Sequence, residues 1–214
     1  MNKNTMLRLL FYFGGFFVTA MGITTILRSG LGAGAWDTVN YNFRELTGIT
    51  LGTASMLVNF TVMMTLVLYN KSSRFFLTII PIVLIGLFID LWDLVIYAEY
   101  EPVSMMMRLT LYLLGVLILT SGLTLTITSG YPAMVFDELT LMMMKVFRTG
   151  SFFKARLFVE LLAIVIASGL GFAAGIGFGA VNAGSFLLAV ALPPILSRQL
   201  ELARPRLPFK VADA

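Results

Sequence analysis

The chain has 214 residues, 58% of them hydrophobic and 12% charged, with a formal net charge of +4. A soluble domain carries about 25% charged residues, so lipid must be the solvent for most of these side chains, and the basic balance reports on membrane sidedness rather than on nucleic acid. Cys and His are absent, which excludes disulfides, thiolate nucleophiles, the commonest general base and the commonest metal ligands; no enzyme activity and no cofactor is expected.

A transmembrane helix needs about 20 apolar residues, and the uncharged run 9–27 supplies the first. Lys3 and Arg8 ahead of it, with Ala33-Gly34-Ala35 behind, resemble a secretory leader and its cleavage site. The run exceeds the roughly 7–15 residues of such a leader, so retention is expected. Next come Gly30, Gly32 and Gly34, then Trp36-Asp37, with Trp36, Val39, Phe43 and Leu46 at helical spacing and Asp37, Asn40 and Arg44 on other faces. The pattern predicts a short amphipathic helix of about 17 Å, half a bilayer. Two readings stand. The helix lies flat at the interface, with Trp36 in the aromatic belt and Asp37 answering the helix dipole; or it re-enters the protein, with Gly-rich backbone lining a cavity.

Further spans are expected at 51–69 and 75–97. Asp90 and Asp93 fall near the outer end of the latter beside Trp92, where solvation at the interface is expected, and Arg28 can snorkel or pair with one of them.

The fourth span, 109–127, opens a second copy of the first three. A shift of one hundred residues aligns Tyr12 with Tyr112, Gly15 with Gly115, Gly22 with Gly122, Thr24 with Thr124, Ser29-Gly30 with Ser129-Gly130, Ala33 with Ala133 and Asp37 with Asp137. Matches at Gly and Asp, as well as at apolar positions, mark a duplication. Phe136, Leu139, Met143 and Val146 repeat the amphipathic pattern after it. Spans at 157–176 and 181–200 complete the set. In the fifth, Glu160 lies four residues beyond Arg156, a spacing that suits an ion pair along the helix, and its repeat partner is the polar Asn59. The methionines at 105–107 and 142–144 read as apolar filler, with no Cys or His beside them.

The expected fold is therefore an all-α membrane protein. Six transmembrane helices form two inverted three-helix repeats (1–102 and 103–200), each with a short amphipathic or re-entrant helix after its first span; a basic tail (201–214) follows. With the N-terminus inside, Lys3, Arg8, Lys71, Arg74, Lys145, Arg148, Lys154, Arg156, Arg198, Arg204, Arg206 and Lys210 lie on the cytoplasmic side, leaving Arg28, Arg44 and Arg108 outside. Retention of positive charge inside then puts both termini in the cytoplasm.

Three motifs carry a family resemblance: the Gly-rich stretch Gly32-Ala33-Gly34-Ala35 ending in Trp36-Asp37; Thr47-Gly48 followed by Gly52 and Ser55; and the late run from Gly86 to Asp90. With them the chain resembles the YczE and YitT type of bacterial multispan membrane proteins over nearly its whole length. The resemblance implies a bacterial cell-membrane location.

Inverted repeats of odd span number are the architecture of many secondary transporters, so a permease for a small solute is expected. The substrate or proton pathway would draw on Asp37, Asp137, Glu160, Asn59, Trp36, Arg28 and Asp90. The alternative is a non-transporting membrane scaffold that assists another protein. An intramembrane enzyme would need the two aspartates as acid and base, and their spacing does not match the Gly-x-Gly-Asp pattern of intramembrane aspartyl proteases. No Gly-x-x-x-x-Gly-Lys loop is present to bind ATP. Expected partners are the lipid bilayer, a small-molecule solute or proton and a second copy in a homodimer, with no nucleic acid.

Overall fold

A computed structural model describes residues 3–131, 134–203 and 205, the side chains of Lys3 and Asp137 excepted. Ala133, the Asp137 carboxylate and Arg204, Arg206 and Lys210 of the tail lie outside the described residues. Among the described residues eight α-helices follow one another: α1 (Lys3–Ser29), α2 (Ala35–Thr47), α3 (Leu51–Asn70), α4 (Ile79–Asp90), α5 (Met105–Ser129), α6 (Val135–Val146), α7 (Phe152–Ala173) and α8 (Ala183–Ala203). A 3-10 turn, Ser73–Thr78, leads into α4, and a π turn, Leu91–Ile96, prolongs it. Among the described residues six helices are long and apolar enough to cross a membrane: Asn4–Ser29, Leu51–Asn70, Ser73–Ile96, Met105–Ser129, Phe152–Ala173 and Ala183–Ala203. They match the expected six spans; the first and fourth are longer by more than a turn, and the fifth and sixth are shifted by a few residues along the chain.

Local chemistry sets the ends. The hydroxyls of Thr50, Ser104 and Ser151 accept from the amides of Thr53, Met107 and Lys154, capping α3, α5 and α7. Gly48 and Gly130 close α2 and α5 in the left-handed conformation that suits glycine. Between them α2 and α6, of 13 and 12 residues, are too short to span.

α1 and α5 form an antiparallel pair at the centre. Gly15 faces Thr126, Gly22 faces Leu119, Gly122 faces Thr19 and Gly115 faces Ile26, so the backbones approach at hydrogen-sized side chains. Phe16, Ile23 and Ile26 pack there against Tyr112, Val116 and Leu119. A second buried cluster joins Val39 of α2, Met63 and Leu66 of α3, Leu139 of α6 and Val159 and Ala163 of α7. α4 packs on both α1 and α3. α8 runs along α5 and touches α2, but no comparable packing joins it to α7. Only 6% of the apolar window of α8 is buried, against 39% for the span containing α4. Outward-facing Leu68, Val165 and Val190 are largely exposed, as lipid-facing side chains are.

Candidate functional site

The N-terminal ends of α2 and α6 meet inside the protein. The Trp36 indole stacks on the Phe136 ring with centroids 4.6 Å apart and planes 20° apart, and Trp36 is buried rather than displayed in an outer belt. The chain reaches this point through the extended stretch 30–34, which is sewn to the start of α8. The Gly184 amide donates to the Leu31 carbonyl at 2.8 Å, and the Ala33 amide to the Ser185 hydroxyl at 3.1 Å. Gly32, at φ 114°, lies against the Ser185 backbone where no Cβ would fit. Tyr112 of α5 donates to the Gly184 carbonyl at 2.6 Å and fixes the same junction.

Beside the stacked rings is a cavity of ≈ 200 Å³ between α1, α5, α7 and α8. Its walls are mostly aliphatic. Its polar lining comprises Asp37 in the first turn of α2, Arg156 and Glu160 of α7, and Thr19 and Thr126 at the α1–α5 seam. Arg156 Nε and the Glu160 carboxylate form the ion pair expected from their spacing, at 2.8 Å. Asp37 has no cation within ion-pair distance among the described residues, and Gly34 caps α2 without a side-chain bond. Two buried polar atoms of residues beside the cavity, Thr19 Oγ1, which lies against Gly122 in the α1–α5 seam, and Trp36 Nε1, have no hydrogen-bond partner. Such atoms are rare in folded proteins.

The structure thus brings together Asp37, Glu160 and Trp36 of the expected residues. It sends three others elsewhere. Asn59 is buried in α3 and donates to the Ser55 carbonyl at 2.8 Å. Asp90 clasps α4 to the start of α3, accepting from the Gly52 amide and the Thr50 hydroxyl, each at 2.6 Å. Arg28 pairs with Asp93, not Asp90, at 2.7 Å. The Asp137 side chain lies outside the described residues.

Expected solvation of Asp90 and Asp93 at the interface is corrected here. Asp93 is 3% exposed and also accepts from Arg44 at 3.0 Å, so one carboxylate ties α1 and α2 to the π turn. Two guanidinium donors replace the water that the carboxylate gives up. Three residues carry more than their sequence positions suggested. Arg44 closes this cluster, Thr19 stands without a partner, and Asn42 is fully buried on the far side of α2. Asn42 donates to the carbonyls of Ala167 and Phe178 at 2.7 and 3.1 Å and accepts from the Ala180 amide at 3.0 Å. The polar face of α2 was the available signal for Arg44 and Asn42; Thr19 had none, since helical threonines ordinarily bond to their own backbone. No cluster of metal-ligating side chains occurs among the described residues.

A family model described as a family of unknown function, DUF6198, matches residues 6–198. The chain is similar to the uncharacterized membrane protein YczE of Bacillus subtilis (strain 168), 28% identical over 183 residues, which cover 85% of this chain and 82% of that protein. It is also similar to the uncharacterized protein YyaS of the same organism, 25% identical over 186 residues, which cover 85% and 91%. No solved structure matches it. Six apolar helices and a membrane-protein relative agree that this is a membrane protein.

Proposed function

We propose, for a chain that belongs to the DUF6198 family of unknown function, that it is a secondary transporter or permease for a small solute. It would act in a bacterial cell membrane with both termini in the cytoplasm. The observation that carries the reading is the meeting of Trp36 with Phe136, two positions one hundred residues apart, at the edge of a cavity that holds carboxylates.

The same shift relates other contacts. Gly22 against Leu119 becomes Gly122 against Thr19, and Gly15 against Thr126 becomes Gly115 against Ile26. Arg8 donates to the Ser129 carbonyl at 2.7 Å, while Arg108 lies beside Gly30. Each contact exchanging with its counterpart is the behaviour of two units about a two-fold axis, and an odd number of spans per unit turns one unit over in the membrane. On this reading α2 and α6 are half-helices that re-enter from opposite sides and present their N-terminal ends near the midplane. A carboxylate at that depth costs about 2.5–3.5 kcal/mol on insertion scales, which favours a role for Asp37 in binding or proton movement. The sequence holds no ATP-binding loop, so transport would be secondary or would borrow energy from another subunit. No catalytic role is proposed.

The test is a ligand-induced thermal shift against a small-solute library at two pH values, followed by flux into proteoliposomes, for wild type and for Asp37→Asn, Asp137→Asn and Glu160→Gln. A solute that stabilises and crosses with wild type and fails with a carboxylate variant is the expected result. Variants that fold normally, with no solute shifting or crossing with any protein, would replace transport by the scaffold reading.

A further inference from the structure

We infer that the cavity between α7 and α8 takes a compact organic cation, a protonated amine on an apolar, aromatic-sized body. The inference rests on the transport reading only for movement of the ligand; binding stands by itself.

Charge gives the sign of the ligand. Among the described residues that line the cavity, Asp37 and Glu160 face a single cation, Arg156, and that cation is paired with Glu160. Among these described groups the Asp37 carboxylate has no cation of its own. The N-terminal ends of α2 and α6 would by themselves attract an anion, but in α2 the Asp37 carboxylate already occupies the first turn. Trp36 and Phe136 on the lining supply aromatic surface of the kind that attracts ammonium groups. α8 adds an acceptor: Pro193 has no N–H to return to the carbonyl of Ala189, a residue that itself lines the cavity.

The walls give the rest. Ile23, Leu119, Leu123, Leu188 and Leu192 leave the ligand body only apolar contacts, and the ≈ 200 Å³ volume keeps it below ordinary drug size.

Three probes of one skeleton separate the alternatives: phenylalaninol (cation), 3-phenylpropane-1,2-diol (neutral) and 3-phenyllactate (anion). Calorimetric titration of the full chain in micelles is expected to rank phenylalaninol at least tenfold tighter than the diol, with phenyllactate weakest. Asp37→Asn is expected to abolish that preference. Were Asp37→Asn not to fold, the probe ranking would decide. Preference for phenyllactate, equal affinity for all three, or no binding by any would overturn the inference. Phenylalaninol bound but not carried into proteoliposomes would remove the transport reading and leave this one. Flux of another solute without phenylalaninol binding would do the reverse.

Discussion

A Cβ placed on Gly22 would come closer than 3.0 Å to the backbone nitrogen and Cα of Leu119, where ordinary contacts run 3.4–4 Å. Backbone has no rotamer with which to yield, so Gly22→Ala must part α1 from α5 by roughly 0.5–1 Å. A gap of that size forfeits about a quarter to a half of each atom-pair attraction of about 0.1–0.2 kcal/mol, and on the order of forty such pairs near the crossing lose about 2 kcal/mol. Alanine's better helix propensity returns up to about 1 kcal/mol, leaving a net cost of about 1–3 kcal/mol when local strain is included. Gly122→Ala, whose Cβ would meet the Thr19 backbone, is expected to cost the same. Gly14→Ala and Gly169→Ala, with nothing within 4 Å, should be neutral or stabilising by up to about 1 kcal/mol. Equilibrium unfolding in mixed micelles measures all four. If Gly22→Ala unfolded like Gly14→Ala, the close approach of α1 and α5 would be wrong.

Asp93→Asn leaves two guanidinium groups facing a neutral amide, and because both arginines are partly exposed the expected loss is about 2–3 kcal/mol by the same assay. Combining it with Arg28→Leu should cost less than the sum of the two single changes, whereas strict additivity would mean the pair does not couple them. Asn42→Leu strands the Ala180 amide and two carbonyls, at about 2 kcal/mol or more. Hydrogen exchange should then quicken at Ala180, and unchanged protection there would show that Asn42 does not hold the segment.

Hydropathy made the six spans legible because each is a long, predominantly apolar run whose solvent is fixed by composition alone. The Arg156–Glu160 pair was legible too, because four residues on a helix set the distance. What escaped depended on partners distant in sequence. Asp93 sits at the end of an apolar run, where water is the ordinary neighbour, yet a π turn and two arginines 65 and 49 residues away enclose it. Asn42 satisfies carbonyls more than one hundred residues ahead. Trp36 offered two faces at helical spacing, and only the convergence of α2 with α6 decides that its ring meets Phe136.

The different fates of α4 and α8 reach beyond packing. α4 is wedged between two neighbours, like a stave in a barrel, while α8 is fastened along one flank and hangs like a shutter from α5. What presses on the free edge of a shutter is the bilayer itself. Membrane thickness and lateral pressure thereby enter the shape of the cavity wall on one side of the protein and not on the other, so the surrounding lipid becomes one of the settings of the site.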